Sequence, residues 1–255
     1  MRLWAVEVSA CPILNDLRFL IIDIYPNMDY IPNIVRRSTR QNNGAEIQMG
    51  VKERRDRERQ ELRHAILEAA REIAATDGWQ AVTIRKVAEK IEYSPPTIYE
   101  YFSSKEAILG EEMREGFRLL VADLKAARDA HADPREKLWA MGRAYWNFVW
   151  VHPELYQVIS GLGGCAFCDE DTPSPLDQKS EGENVMVLYR DVLAAVLPQI
   201  RDVEDLTSKC LVLWSLFHGF ITLIMSGRIP MESRDHALNL ARQTVGDLLT
   251  VWRAA

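Results

Sequence analysis

Between Leu62 and Ala107 the apolar periodicity restarts three times, each time at a residue that stops or starts a helix, so this stretch can fold only as a chain of helices. Leu62, Ile66, Ala69, Ala70, Ile73 and Ala74 fall on one helical face, with Arg63, Glu68, Arg71 and Glu72 elsewhere. Asp77-Gly78 stops this first helix, because Gly enters the left-handed conformation without steric cost. Trp79 and Val82 anchor the connection, and Thr83 is placed to N-cap a second helix with Ile84, Val87, Ala88 and Ile91 as its buried stripe. After the short connection Glu92-Tyr93, Ser94 is the next expected cap, and Pro95 sits at a first helical position, where a missing N–H costs nothing. This third helix, Pro95 to Tyr101, is barely two turns. A fourth is expected from Ser103, with Ser103-Ser104-Lys105-Glu106 as a capping box. Two short helices joined by a tight turn and covered by a longer one make a helix-turn-helix, whose second helix enters the major groove of DNA.

Charge sets a condition on that reading. Lys and Arg number 31 against 37 Asp and Glu, and Gly50 to Ile108 carries eleven of each sign. A positive coat is excluded, so nucleic acid must be met by a local patch, and one neutral head should bind weakly. Affinity is therefore expected to depend on dimerisation and to fall steeply with salt. The four cysteines (Cys11, Cys165, Cys168, Cys210) make no disulfide framework and fit a reducing cytoplasm. The uncharged stretch Cys210 to Gly227 contains Ser215, His218, Gly219, Thr222 and Ser226, and is read as a buried helix of a soluble protein without a membrane span.

Residues 1–49 keep no period for long: a short apolar run, Phe19 to Ile24, precedes Pro26 and Pro32, and Glu7 interrupts any secretory apolar core. They read as an N-terminal extension, either a flexible arm or upstream of a working start at Met49. The helix-turn-helix domain is placed at 50–110 and a second helical domain at 111–255, giving an all-α chain.

The run Ala81-Val82-Thr83-Ile84-Arg85-Lys86-Val87-Ala88-Glu89-Lys90-Ile91, followed by Ser94-Pro95-Pro96-Thr97-Ile98-Tyr99-Glu100-Tyr101-Phe102-Ser103-Ser104-Lys105-Glu106-Ala107, resembles the DNA-binding domain of the TetR family of transcriptional regulators. The resemblance implies a homodimer whose N-terminal heads bind double-stranded operator DNA. Its C-terminal domain would dimerise and accept a small effector that releases the DNA. No cofactor or metal is implied.

Thr97 suits a base edge or a thymine methyl, and Pro95 and Pro96 offer apolar surface to such a methyl, although Pro95 equally serves as a helix starter. Tyr99 is expected to be exposed and to reach a phosphate, since Ile98 and Phe102 already fill the core face. Thr83 can cap its helix and meet a phosphate at the same N-terminus. Lys105 matches the family's phosphate-contacting lysine, Arg85 and Lys86 widen the positive patch, and Ser94 completes the surface. Tyr101 stands where the family often has His. Glu100 stands where a neutral or basic residue is common, so it either points away from phosphates or accepts from a cytosine amino group.

From Leu109 on, the chain reads as further helices. The helix Glu111 to about Ala130 would join the domains, and Asp133-Pro134 starts another that His152-Pro153 breaks. A short helix carries Leu155, Tyr156 and Ile159. A surface loop is expected over Gly161 to Gly182, then helices over Asn184 to Pro198 and Leu206 to Ser226, and a last one after Pro230 through Val251. Trp139, Tyr145, Trp146, Phe148, Trp150, Tyr156, Trp214 and Phe217, with His218 as a core, interface or ligand histidine, are expected around a moderately large apolar effector cavity. Such a cavity favours a hydrophobic or aromatic effector, and operator release would follow a change in the separation of two recognition helices set roughly 34–36 Å apart. Trp214-Ser215-Leu216-Phe217-His218-Gly219 resembles the Trp-His-Gly motif of one C-terminal subclass.

Cys165-Ala166-Phe167-Cys168 supplies the alternative, a thiol- or metal-responsive protein, although a full zinc site needs two more ligands. No Gly-rich phosphate loop, nucleophile elbow or paired-histidine motif is present, which argues against an enzyme.

Overall fold

The computed structural model describes residues 51–161 and 181–254, and all regular structure among them is helical. Helix α1 spans Val51–Asp77 and ends at Gly78, whose φ is +80°. A 3-10 turn, Trp79–Ala81, leads to α2 (Ile84–Lys90), α3 (Pro95–Tyr99) and the long α4 (Lys105–Asp129). There follow α5 (Pro134–Val151), α6 (Pro153–Ile159), α7 (Glu181–Val196), α8 (Val203–Met225), a 3-10 turn Met231–Ser233, and α9 (Arg234–Ala254).

Local chemistry explains most of these boundaries. Thr83 Oγ1 accepts from Lys86 N, so it acts as the N-cap that its position implied, and Asp133 caps α5 by accepting from the amides of Arg135 and Glu136. The cap of α4 is Ser104, which accepts from Ala107 N, and not Ser103. With the cap one residue later, Glu106 falls at the second helical position and the spacing of a capping box is lost. Ser94 occupies an N-cap position without capping, because its Oγ is bonded to Thr97 Oγ1 at 2.9 Å. Helix α3 is also shorter than expected, ending at Tyr99. The expected loop over 161–182 lies mostly outside the described residues, but α7 already begins at Glu181, and α8 starts three residues ahead of Leu206.

The turn between α2 and α3 holds one strained residue. Tyr93 N donates to Ala88 O and Glu92 N to Glu89 O, a Schellman closure in which the left-handed position falls to Glu92 at φ +60°. A side chain there costs about 1 kcal/mol. Glu92→Gly is therefore expected to stabilise the chain by about that amount, read as a higher denaturation midpoint at unchanged m-value.

The buried side chains form one continuous cluster from Ile66 to Leu249. Helix α4 runs unbroken through residue 110 and packs on α5, α6 and α7, while α1 touches α6. The head (α1 to α3) therefore rests on the rest of the chain through α4 and α6.

Candidate nucleic-acid interface and effector cavity

Helix α3 is a five-residue stub held by one residue. Ile98 is fully buried and Phe102, just beyond, is 3% exposed, whereas Pro95, Pro96 and Tyr99 face solvent. Tyr99 is 56% exposed, too open to serve as a core aromatic. Ser94, Thr83, Arg85 and Lys86 are also exposed, and Lys86 Nζ lies 3.5 Å from Asp77 Oδ2. Thr97, Tyr101 and Lys105 are half-buried. Thr97 is tied to Ser94, and Lys105 Nζ donates to Gln80 O at 3.3 Å, a bond it must release or share to reach a phosphate. The Arg59 guanidinium lies 5.8 Å from the Tyr101 ring centroid. Glu100 is exposed and lines a polar cleft of about 430 Å³ with Arg55, Glu58 and Arg59 of α1, Leu62, Tyr93 and Tyr101. Its carboxylate thus has arginines near it within the head.

The C-terminal helices enclose an apolar cavity. Trp139, Tyr145, Trp214 and Phe217 line it, together with Leu138, Gly142, Val185, Met186, Tyr189, Cys210, Leu213 and Val245. Trp146, Phe148, Trp150, Tyr156 and His218 do not reach its wall. Trp146 and Phe148 are buried core side chains, and Trp146 packs edge-on against Trp150. The volume is about 50 Å³, which corrects the expectation of a moderately large cavity: the aromatic side chains fill the space they surround. A drug-sized ligand needs roughly 300 Å³ or more, so binding requires the walls to part.

Among the described residues, no ionisable acid or base other than phenols and a thiol touches the cavity. Burial holds the Tyr145 and Tyr189 phenols well above the usual range and pushes the Cys210 thiol up to about 12, so all three stay neutral. Behind the wall runs a polar relay. Trp214 Nε1 donates to Tyr145 Oη at 3.1 Å, Tyr145 Oη donates to Tyr156 Oη at 3.5 Å, and Tyr156 Oη is 2.8 Å from His218 Nδ1. Burial lowers the His218 pKa, which leaves the imidazole neutral and able to accept from Tyr156. Tyr156 and His218 thus join the cavity through Tyr145.

Helix α8 is long and apolar enough to cross a membrane, with 28% of its most apolar window buried. Val212, Leu216 and Leu223 form a stripe at helical spacing, and Leu240 and Val251 form another on α9; all but Leu216 are exposed, Val251 the most at 63%.

Residues 66–111 match the family described as bacterial regulatory proteins, tetR family, and residues 138–248 match the tetracyclin repressor-like C-terminal domain. The chain belongs to the TetR family. Among relatives, the transcriptional regulator BetI of Rhizobium meliloti is 34% identical over 92 residues, covering 36% of this chain and 45% of that protein. The transcriptional repressor KstR of Mycobacterium tuberculosis is 28% identical over 134 residues, covering 52% and 58%. The chain spans about half the length of the curated relatives it matches. A putative transcriptional regulator from Pseudomonas aeruginosa PAO1 superposes with a TM-score of 0.58 at 16% identity, over 75% of this chain and 92% of that one. The fatty acid degradation regulator FadR from Bacillus halodurans gives 0.55 at 16%, over 70% and 93%. At such identities the likeness is one of fold. The curated relatives that the chain matches are named as HTH-type transcriptional regulators, and the match over residues 66–111 is to a family of bacterial regulatory proteins.

Eight cavity residues had escaped sequence reasoning. Only Cys210 carried a chemical signal, and Gly142 became informative once packed. A Cβ built on Gly142 would stand 2.8 Å from Phe217 Cζ, so the glycine lets the Phe217 ring lie against the α5 backbone. Gly142→Ala is expected to drive that ring into the cavity and to destabilise the fold by about 1–3 kcal/mol, measurable by thermal unfolding. Cys165, Cys168 and residues 1–49 lie outside the described residues.

Proposed function

We propose that the regulator is a cytoplasmic repressor whose paired heads, residues 50–110, grip an operator and whose domain 111–255 binds a neutral hydrophobic or aromatic effector that releases it. The observation that carries the DNA-facing half of this reading is the stub α3, where Ile98 is buried while Tyr99, Pro95 and Pro96 are offered to solvent. Tyr99, Lys105 and the N-terminus of α2 with Thr83 would meet phosphates. Thr97, Pro95 and Pro96 would meet base edges, and Arg85, Lys86, Ser94 and Tyr101 would flank them. The absence of charge among the described residues of the cavity wall supports a neutral effector, with the Tyr145 hydroxyl as its polar contact.

A second copy of the chain is the occupant we assign to the apolar stripes of α8 and α9, which would pair as a four-helix bundle. That pairing accounts for a helix as apolar as α8 being left so open by its own subunit. Named relatives include KstR repressors and the activator FasR of Mycolicibacterium smegmatis, so the direction of control rests on experiment. The Trp-His-Gly subclass stays part of this proposal, supported by Trp214 and His218 meeting one relay.

Retardation of the DNA upstream of the chain's own gene, in gel shift and in a reporter strain, tests the reading. Specific, salt-sensitive binding with derepression on deletion is the expected result. Thermal-shift screening of matched neutral and carboxylated aromatics tests the cavity: stabilisation by the acids alone would overturn the neutral effector.

A further inference from the structure

Among the described residues one charged side chain is fully buried, Glu112 on α4. Its Oε2 accepts from Arg71 Nε of α1. Its Oε1 has no hydrogen-bond partner and no solvent. Glu112 therefore sits where the head meets the effector domain, in a site that satisfies only half of a carboxylate. The junction around it is tight. Trp79 Nε1 donates to Glu154 O of α6 at 2.8 Å, and one turn along α4 a Cβ on Gly116 would stand 2.8 Å from Ile159 Cγ2. With α4 pressed on α6 at Gly116, rearrangement of the head must loosen the contact at Glu112 and admit water there.

The charges facing this carboxyl are Arg71 from α1, Glu154 from α6 and Glu115 on its own helix; Glu115 is itself paired with Arg118 and feels Arg71 and His64. Desolvation is the largest influence. Together with the two neighbouring carboxylates it outweighs Arg71 and pushes Glu112 up from 4.5 to about 7. A hydrated Glu112 returns to the ordinary range. Between those limits the closed junction binds more protons than the open one, so its population falls as pH rises through about 7.

We propose that Glu112 is a positioning residue that makes the seating of the DNA-binding head on the effector domain proton-linked, its neutral carboxyl favouring the closed junction and its carboxylate favouring opening. The inference uses the chain's role as a regulator only to give the junction a purpose; the linkage itself rests on the buried pair. Since head position governs the reach of α3, operator affinity acquires the same pH dependence.

The test compares the full chain with Glu112→Gln and Glu154→Gln between pH 5 and 8. Hydrogen exchange in α1 and α6, corrected for intrinsic rates, reports junction opening, and anisotropy of a labelled duplex of the upstream DNA reports binding. In the wild-type chain, opening should rise by up to about tenfold per pH unit, the slope of a single proton, as pH climbs towards 7, and should level off above 7, where both states have lost the proton. Glu112→Gln should flatten that profile, and Glu154→Gln should move its midpoint to lower pH. A wild-type pH dependence retained in Glu112→Gln would overturn the proposal; were that variant not to fold, an unmoved midpoint in Glu154→Gln would do the same. A duplex that binds at no pH would count against the regulator function, while the exchange data alone decide the linkage.

Discussion

Trp79→Ala should lower the melting temperature by roughly 10 °C, the largest loss expected from any single truncation in the head. The side chain is 1% exposed and lies between α1 and α6. Truncating a buried Trp costs about 3–5 kcal/mol, and a chain of this size loses about 2–4 °C per kcal/mol. The variant also leaves Glu154 O without its indole donor, so the head should loosen on α6 before the chain unfolds globally. Trp79→Phe separates the two effects: it keeps most of the ring and removes the donor, for a cost of about 1–1.5 kcal/mol. Scanning calorimetry of both variants checks this. A melting temperature within 2–3 °C of wild type in Trp79→Ala would mean that the pocket collapses at little cost and that the indole is not a structural anchor.

Tyr99→Ala should weaken operator binding about 100-fold and leave stability within about 0.5 kcal/mol. The two halves of that statement have one cause. Ile98 carries the packing of α3, so Tyr99 contributes little to the fold and has its hydroxyl free for a phosphate. One such contact is worth about 1–1.5 kcal/mol, and the proposed dimer would present it twice. Tyr99→Phe isolates the hydroxyl, and the loss should be uniform across DNA sequences, because a phosphate contact reads no bases. Unchanged affinity in Tyr99→Ala, measured by anisotropy at fixed salt, would place the DNA-contacting surface elsewhere on the head.

Much of the head could be read along the chain because its determinants are local. Thr83 caps by reaching three residues ahead, as Asp133 does further along the chain, and Gly78 and Pro95 act through their own backbone angles. Where two neighbours offered the same chemistry, as Ser103 and Ser104 do, local rules could not choose between them. Ser94 shows a further limit: its hydroxyl preferred the Thr97 side chain to a backbone amide. The cavity was half legible. Trp139, Tyr145, Trp214 and Phe217 stood out as aromatics, whereas Val185, Met186 and Tyr189 arrive from α7, a helix far along the chain from α5, and nothing in their own sequence marks them. The collapse of the cavity to about 50 Å³ was invisible for the same reason, since volume belongs to the packed assembly.

The amino-acid sequence by itself determined the helical class, the helix-turn-helix and the exposed face of α3, because period, caps and breakers act within a few residues. Only the tertiary structure decided which aromatics face the cavity and which fill the core. It also decided the fate of Glu112, which on its own helix looks like any surface glutamate. Burial, a half-satisfied pairing with Arg71 and the nearness of Glu154 exist only once α1, α4 and α6 meet, since desolvation and Coulomb terms depend on distance in space and not along the chain.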